Sequence, residues 1–123
     1  MRVLLVDDEP ELIFTLAERL ELRGFSVEAV TSGEEALRRV AEEPFDIVVV
    51  DMKMPGMGGG EVLTAVRDEH PDLPVILLTG HGGSGDEGEE RLLRAACAFL
   101  YKPVNIDKLI ETMRGCAGER DHG

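Results

Sequence analysis

Hydrophobic and polar positions follow one another along this chain as a regular alternation of strand-like and helix-like segments. Five short apolar runs have the length and side-chain composition of β-strands. The predicted strands are Val3–Val6, Ser26–Val30, Ile47–Val50, Val75–Leu78 and Ala98–Tyr101. Between them, apolar residues recur with the spacing of one helical face. This alternation is typical of an open parallel sheet covered by helices, built from repeated βα units.

The intervening helices carry their own start signals. The first is expected from about Pro10 to Arg23, because proline suits the first turn of a helix. Ser32 and Glu35 have the capping-box spacing ahead of the second helix, and Asn105 is a suitable cap for the last one. The third and fourth helices are expected around Val62–Val66 and Glu89–Arg94. Together these elements predict five βα units.

Four of the five strand runs end at residues that can carry chemistry. Asp7 and Asp8 follow the first strand, and Asp51 follows the third. Thr79 follows the fourth strand, and Lys102 follows the fifth. Because parallel strands end at the same edge of a sheet, these side chains are expected to share one cleft. Each one alone has an ordinary explanation as a cap, a turn residue or a surface charge, but their joint placement favours a functional site.

Three carboxylates at close range repel one another unless a cation lies among them. Magnesium suits such a cluster, with manganese as the alternative, because it is commonly held by one or two carboxylates, water and a phosphate oxygen. Asp8 and Asp51 are the expected direct ligands, with Asp7 acting through water. An aspartate can also attack phosphorus, while Lys102 neutralises charge and Thr79 hydrogen-bonds a phosphoryl oxygen.

The composition places these elements in one acidic domain. A chain of 123 residues is near the commonest domain size, and we expect a domain over residues 1–117 and a flexible tail over residues 118–123. The formal net charge of -12 argues against nucleic-acid and anionic-membrane binding, because affinity for polyanions comes chiefly from clustered Lys and Arg. No apolar run approaches the ~20 residues of a membrane span, so a cytoplasmic location is expected.

The cysteines and glycines carry two further expectations. Cys97 and Cys116 lack the spacing of a zinc site or a redox motif, so two reduced thiols are expected. Glycines at positions 80, 82, 83, 85 and 88 predict a flexible loop and a fourth helix that is short, displaced or disordered. His81 in this loop is interpreted as a solvated histidine, with an influence on water access to the site as the alternative.

Four motifs together carry a family resemblance. The segments VLLVDDEP, VVVDMKMPGMGG, ILLTGH and FLYKP, in this order and spacing, resemble the receiver domain of two-component response regulators. The resemblance extends from Val3 to about Met113. It implies a flavodoxin-like (βα)5 three-layer sandwich, with a parallel five-stranded sheet in the order 2-1-3-4-5 and the site at the switch point between the first and third strands.

The resemblance also assigns roles to the acidic residues. Asp51 matches the phospho-acceptor, Asp8 the direct magnesium ligand and Asp7 the second acidic partner. The main-chain carbonyl of Lys53 is expected to complete the protein ligands.

Further roles follow from the resemblance at the fourth and fifth strands. Thr79 matches the switch hydroxyl and Lys102 the phosphoryl-contacting lysine. Phe99 matches the switch aromatic, with Tyr101 as the runner-up. The Lys102–Pro103 peptide bond is expected to be cis, as in this family.

The function implied by the resemblance is that of a phosphorylation switch. A sensor histidine kinase or a histidine phosphotransfer protein would supply the phosphoryl group, and the face built from the fourth helix, fifth strand and fifth helix would bind an output domain or an effector. The domain would assist its own phosphorylation and dephosphorylation without being an enzyme for a free substrate. A monomer or weak dimer is expected, either standing alone or as part of a longer regulator.

Two departures and two alternatives accompany this interpretation. Gly58 and Gly60 stand where the family often has an acidic and an apolar residue, so a loose start of the third helix is expected. The first alternative is a receiver-like interaction module that acts without phosphorylation. The second is a phosphatase or phosphotransferase for a small molecule, which would need a general acid and a substrate pocket that the sequence does not indicate.

Overall fold

The structure is a computed structural model that describes residues 1–80 and 87–118. Over these residues five strands alternate with five helices. The strands are β1 (Arg2–Val6), β2 (Ser26–Val30), β3 (Ile47–Asp51), β4 (Val75–Thr79) and β5 (Ala98–Tyr101). The helices are α1 (Pro10–Leu22), α2 (Gly33–Glu42), α3 (Gly59–Glu69), α4 (Glu87–Ala95) and α5 (Ile106–Cys116). The predicted βα alternation is confirmed.

All five strands are parallel, and their order across the sheet is β2-β1-β3-β4-β5. β1 lies between β2 and β3, so that Val6 pairs with Val30 on one side and with Val50 on the other. The chain changes direction across the sheet at this point, which is where open α/β sheets form their clefts. The residues that follow Val6 and Val50 therefore lie side by side at the carboxyl edge.

The hydrophobic core consists of two clusters, one on each face of the sheet. On one face, Leu5 and Val49 of the sheet pack with the apolar side chains of α1 and α5. On the other face, Leu4 and Val48 pack with those of α2 and α3, and α4 adds partly buried leucines. Every residue of β3 is buried, as expected for a central strand covered on both sides. The expected three-layer α/β sandwich is confirmed.

Predicted caps position three of the helices. Pro10 opens α1, Ser32 Oγ accepts a hydrogen bond from the backbone N–H of Glu35 at 3.1 Å, and Asn105 Oδ1 accepts one from the N–H of Lys108 at 2.9 Å. Ser32 and Asn105 each satisfy a backbone donor that the first turn of a helix leaves without a partner, whereas Pro10 has no N–H to satisfy at that position. In the described part of the chain, no helix has the length and apolar character needed to cross a bilayer.

The first turn of α3 is closely packed, so the expected loose start is wrong. The backbone N–H of Gly58 donates to the carboxylate three residues later at 3.1 Å. A Cβ added to Gly59 would lie 2.5 Å from the carbonyl oxygen of Asp51. One added to Gly60 would lie 2.5 Å from Leu92 Cδ1. The two helical glycines therefore allow β3 and α4 to approach the start of α3 closely.

α4 is a regular helix of nine residues and is longer than the pattern predicted, because it begins at Glu87 and ends at Ala95. Residues 81–86, which include His81 and three of the loop glycines, lie outside the described residues, as do residues 119–123. The expectations for the glycine-rich loop and the tail therefore stay predictions.

The expectation of two reduced thiols is wrong, because Cys97 and Cys116 form a disulfide with their Cα atoms 5.9 Å apart. Cys97 directly precedes β5 and Cys116 is the last residue of α5. A helix that follows a strand and packs back on it brings its own end near the start of that strand. The two cysteines are 19 residues apart, so they lack the short spacing of a redox motif. The packing of α5 on β5 nevertheless brings them together.

Candidate functional site

The three strand-end carboxylates form one cluster at the carboxyl edge of the sheet. Asp7 follows β1 and is fully buried, Asp51 is the last residue of β3 and is buried, and Asp8 is exposed. One carboxylate oxygen from each residue lies within 4.8 Å of those of the other two. The predicted convergence of Asp7, Asp8 and Asp51 is therefore present in the structure.

Asp7 is held in place by hydrogen bonds of both its backbone and its side chain. Its backbone N–H donates to the carbonyl of Val30 at 3.2 Å, and its Oδ1 accepts from the backbone N–H of Glu9 at 3.0 Å. Its Oδ2 lies 3.0 Å from Lys102 Nζ but has no hydrogen bond of regular geometry among the described residues. The contact with Lys102 is therefore an ion pair without a hydrogen bond. The buried Oδ2 atom of Asp7 can still accept a further cation or hydrogen-bond donor.

Lys102 is the cation that the described part of the chain places among these carboxylates. Its Nζ lies 3.0 Å from Asp7 Oδ2, 3.5 Å from Asp51 Oδ2 and 3.5 Å from Glu9 Oε1. Its backbone N–H donates to the carbonyl of Thr79 at 2.9 Å, which ties the end of β5 to the end of β4. The peptide bond that follows Lys102 is cis, the isomer that the resemblance implies.

The electrostatics of the site shift two pKa values in the same direction. Burial raises the pKa of Asp51 above its ordinary value; the positive charge of Lys102 and a backbone hydrogen bond from Lys53 oppose this rise, and the nearby Asp7 adds to it. Burial alone would lower the pKa of Lys102, but the close contact of its ammonium group with Asp7 and the charges of Asp51, Asp7 and Glu9 outweigh burial and raise it. Negative charge is therefore in excess at this edge.

Thr79 and the β5 aromatics lie beside this cluster in different environments. Thr79 is buried at the end of β4, and its hydroxyl donates to the carbonyl of Gly80 at 3.4 Å. Across the sheet Thr79 pairs with Tyr101, whereas Phe99 pairs with Leu77. Phe99 is 39% exposed and Tyr101 is 56% exposed, with their rings in an edge-to-face contact at 5.8 Å. Both aromatic side chains thus lie on the outer side of β5.

Glu9 is the site residue that the sequence analysis missed. Its carboxylate approaches Lys102 although its side chain is largely exposed. A signal was present, because Glu9 directly follows the acidic pair and directly precedes the proline that opens α1. A residue in that position lies at the same edge of the sheet as Asp7 and Asp8, although it does not itself end a strand.

The residues of the cluster fit a divalent cation. Carboxylate oxygens are the ligands that Mg²⁺ prefers, and Asp7 Oδ2 is a buried oxygen without a regular hydrogen bond. The local excess of negative charge, with one lysine among four carboxylates, would be relieved by a bound cation. Lys53 is adjacent, since its backbone hydrogen-bonds the Asp51 carboxylate.

The sequence model of the family described as "Response regulator receiver domain" matches residues 3–114. The chain belongs to this family. The receiver domain matches response regulator protein FleR of Pseudomonas aeruginosa with 38% identity over 110 residues, covering 89% of this chain and 23% of FleR. It matches the two-component response regulator PhoP of the same species with 36% identity, covering 89% of this chain and 48% of PhoP. The chain thus spans between 23% and 48% of the length of these relatives.

Solved structures show the same receiver fold. The response regulator TrrA from Thermotoga maritima, crystallised in complex with Mg²⁺-BeF, superposes with a TM-score of 0.84 at 33% identity, covering 94% of this chain and 97% of that chain. Sequence and structure therefore agree that this chain is a receiver domain of two-component response regulators, a signalling domain.

Proposed function

We propose that Asp51 of this receiver accepts a phosphoryl group from a phosphohistidine on a sensor histidine kinase or a histidine phosphotransfer protein. The observation that carries the proposal is the position of Asp51. It is the last residue of the central strand, it lies next to Asp7 and Asp8, and its Oδ2 is 3.5 Å from the ammonium group of Lys102. A carboxylate nucleophile beside a lysine, in an acidic cluster that can hold a divalent cation, is the arrangement that phosphoryl transfer requires.

In the proposed reaction, a carboxylate oxygen of Asp51 forms a bond to phosphorus while the bond from phosphorus to the donor imidazole nitrogen breaks. The electron pair of that bond stays on the imidazole. Lys102, which pairs with Asp51 and Asp7, would neutralise charge on the transferred oxygens. Thr79, buried at the neighbouring strand end, is placed to donate its hydroxyl proton to one of them.

The proposed metal ligands are the carboxylates of Asp7, Asp8 and Asp51 and the main-chain carbonyl of Lys53, with Mg²⁺ or Mn²⁺ as the cation. When bound, the cation would supply charge neutralisation for the phosphoryl oxygens. The hydrogen bond from the N–H of Glu9 to Asp7 Oδ1 fixes the orientation of this carboxylate. Oδ2 is then the Asp7 oxygen that would face the cation. The same residues would support later hydrolysis of the acyl phosphate.

Phosphorylation of Asp51 is proposed to act on the face formed by α4, β5 and α5. Thr79 would move toward the new oxygens, and the outward-facing Phe99 would turn inward, with Tyr101 as the alternative mobile aromatic. The pairing of Thr79 with Tyr101 across the sheet makes this face sensitive to a movement at the end of β4. The partner is an output domain or an effector protein, and the relatives extend well beyond the part that this chain matches.

The remaining parts of the proposal concern context. The domain promotes its own phosphorylation and dephosphorylation, and it turns over no free substrate. It occupies residues 1–117, and it functions in the cytoplasm as a monomer or weak dimer.

The test is intact-mass measurement after incubation with Mg²⁺ and acetyl phosphate. We expect a labile single phosphoryl adduct on the parent protein and on Asp72→Asn, a matched substitution at an exposed aspartate outside the cluster. We expect none on Asp51→Asn. An adduct that persists in Asp51→Asn would reject the acceptor assignment. No adduct on the parent protein, with Mg²⁺ binding also absent, would favour the interaction module that acts without phosphorylation.

A further inference from the structure

The disulfide lies at the edge of the sheet opposite the acidic cluster and is open to solvent. Cys97 directly precedes β5 and is exposed, whereas Cys116 ends α5 and is partly buried. Cys116 also lines a cavity of about 510 Å³ together with the loops that precede β3 and β4, which is a volume in the range of small-molecule sites. A thiol reagent can therefore reach the bridge without unfolding of the domain.

The packing around the bridge does not depend on the bridge. α5 is anchored by four buried side chains on its sheet-facing side, Ile106, Leu109, Ile110 and Met113. The start of β5 is anchored separately, because the backbone N–H of Cys97 donates to the carbonyl of Val75 at 2.8 Å. Beyond Met113 the last turn of α5 is held by lesser contacts, since Arg114 lies 5.5 Å from the centre of the Phe25 ring and the partly buried Cys116 packs against the core. Loss of the bridge would thus loosen this last turn and leave the core in place.

We propose that Cys97–Cys116 is a reversible redox modification site that is reduced within the folded protein by dithiols, and that its reduction releases the last turn of α5 from the start of β5. A thiolate of the reductant attacks Sγ of the exposed Cys97, the bond between the two cysteine sulfurs breaks, and Cys116 leaves as a thiolate that takes up a proton. The second thiol of the reductant then attacks the mixed disulfide, so that the reductant becomes a disulfide and Cys97 becomes a thiol. Two electrons and two protons pass to the protein.

This site is independent of the acidic cluster and of the proposed phosphorylation. The sequence contains only these two cysteines, so no third thiol can exchange with the bridge. The two elements that the bridge joins, β5 and α5, both belong to the face assigned above to the partner. Redox state and phosphorylation would therefore act on one face from opposite edges of the sheet.

The experiment uses dithiothreitol as the probe on the full chain, without denaturant. Intact-mass measurement after thiol alkylation follows the bridge, and hydrogen exchange follows the backbone. We expect complete reduction under native conditions, with exchange at the end of α5 accelerated on the order of tenfold. Exchange in β1 should stay unchanged, and oxidised dithiothreitol should restore both signals.

The matched control is the double variant Cys97→Ser, Cys116→Ser, whose exchange should equal that of the reduced parent with or without dithiothreitol. Reduction that needs denaturant would overturn the proposal, because the bridge would then be a purely structural cross-link. So would reduction that leaves exchange at the end of α5 unchanged, or two free thiols in protein treated with oxidised dithiothreitol. None of these results depends on whether Asp51 accepts a phosphoryl group.

Discussion

The carboxylates at the carboxyl edge of the sheet lie close together, and their mutual repulsion lowers the stability of the folded state. Asp51 is the clearest case, because burial and the neighbouring Asp7 raise its pKa. The folded state then binds a proton at Asp51 more tightly than the unfolded state does. The stability that this carboxyl contributes is fully present below its ordinary pKa of 3.8, and it is lost as pH rises through the raised folded value.

The first prediction follows from that sign. In the presence of a chelator, Asp51→Asn should be more stable than the parent at pH 8, by an amount of order 1 kcal/mol as is usual for one substitution. The difference should shrink as pH falls through the raised folded pKa toward 3.8, because the parent carboxyl then takes up its proton. Urea unfolding of both proteins across this pH range measures it. An asparagine variant that is no more stable at pH 8 would contradict the assigned electrostatics.

The second prediction concerns Lys102, whose charge offsets that of Asp7 and Asp51. Replacement by methionine keeps the apolar stem and removes the charge, so Lys102→Met should destabilise the metal-free protein at neutral pH by roughly 1–2 kcal/mol. Lys108→Met, at an exposed lysine of α5, should be close to neutral. In the Asp51→Asn background, Lys102→Met should cost less stability than it does in the parent. An equal cost in both backgrounds would show that the two groups do not interact.

The site residues were predictable to the extent that they end strands. Asp7, Asp8, Asp51, Thr79 and Lys102 each follow an apolar run, and parallel strands share one edge. Glu9 escaped because it lies in the turn before α1, where only the geometry of the turn brings its carboxylate toward Lys102. The roles of Phe99 and Lys53 came from the family resemblance and stay predictions.

At the scale of elements, the contact between α3 and α4 depends on a missing side chain. A Cβ at Gly60 would lie 2.5 Å from Leu92 Cδ1, so α4 rests where Gly60 leaves space. Periodicity could place both helices but could not show this contact, because it depends on the distance between them. The pairing of Cys97 with Cys116 has the same origin in the packing of α5 on β5.

The third prediction tests this contact with alanine. Gly115→Ala in α5, where a Cβ meets nothing within 4 Å, should stabilise the protein by about 0.5–1 kcal/mol through helix propensity. Gly60→Ala should gain less or lose stability, and it should accelerate hydrogen exchange in α4 because Leu92 is displaced. Urea unfolding and hydrogen exchange measure the two effects.

A double variant provides the decisive comparison for this contact. Leu92→Ala removes the obstructing side chain, so adding Gly60→Ala to it should become as favourable as Gly115→Ala. Equal effects of Gly60→Ala in the presence and absence of Leu92 would mean that this contact does not set the position of α4.

At the scale of the whole molecule, the chain has a formal charge of -12, and three of its carboxylates form a partly buried cluster at one edge of the sheet. The alternation of apolar runs predicted the three layers, since each run needs cover on its faces. Strand order is a different matter, because periodicity does not say which strands are neighbours. The order came from the resemblance, and the structure confirms it.

The last prediction is that Mg²⁺ binding to the acidic cluster stabilises the folded state. A cation that binds the folded cluster and not the unfolded chain stabilises the fold by about 2.7 kcal/mol at a hundred times its Kd. Mg²⁺ should therefore raise the thermal midpoint of the parent and of Asp72→Asn in a concentration-dependent way, at constant ionic strength set with NaCl. Asp8→Asn removes an exposed member of the cluster without opening the core, so its midpoint should respond much less. An equal response of Asp8→Asn and the parent would place the binding elsewhere on the acidic surface, and no response of the parent would exclude the cluster as a Mg²⁺ site.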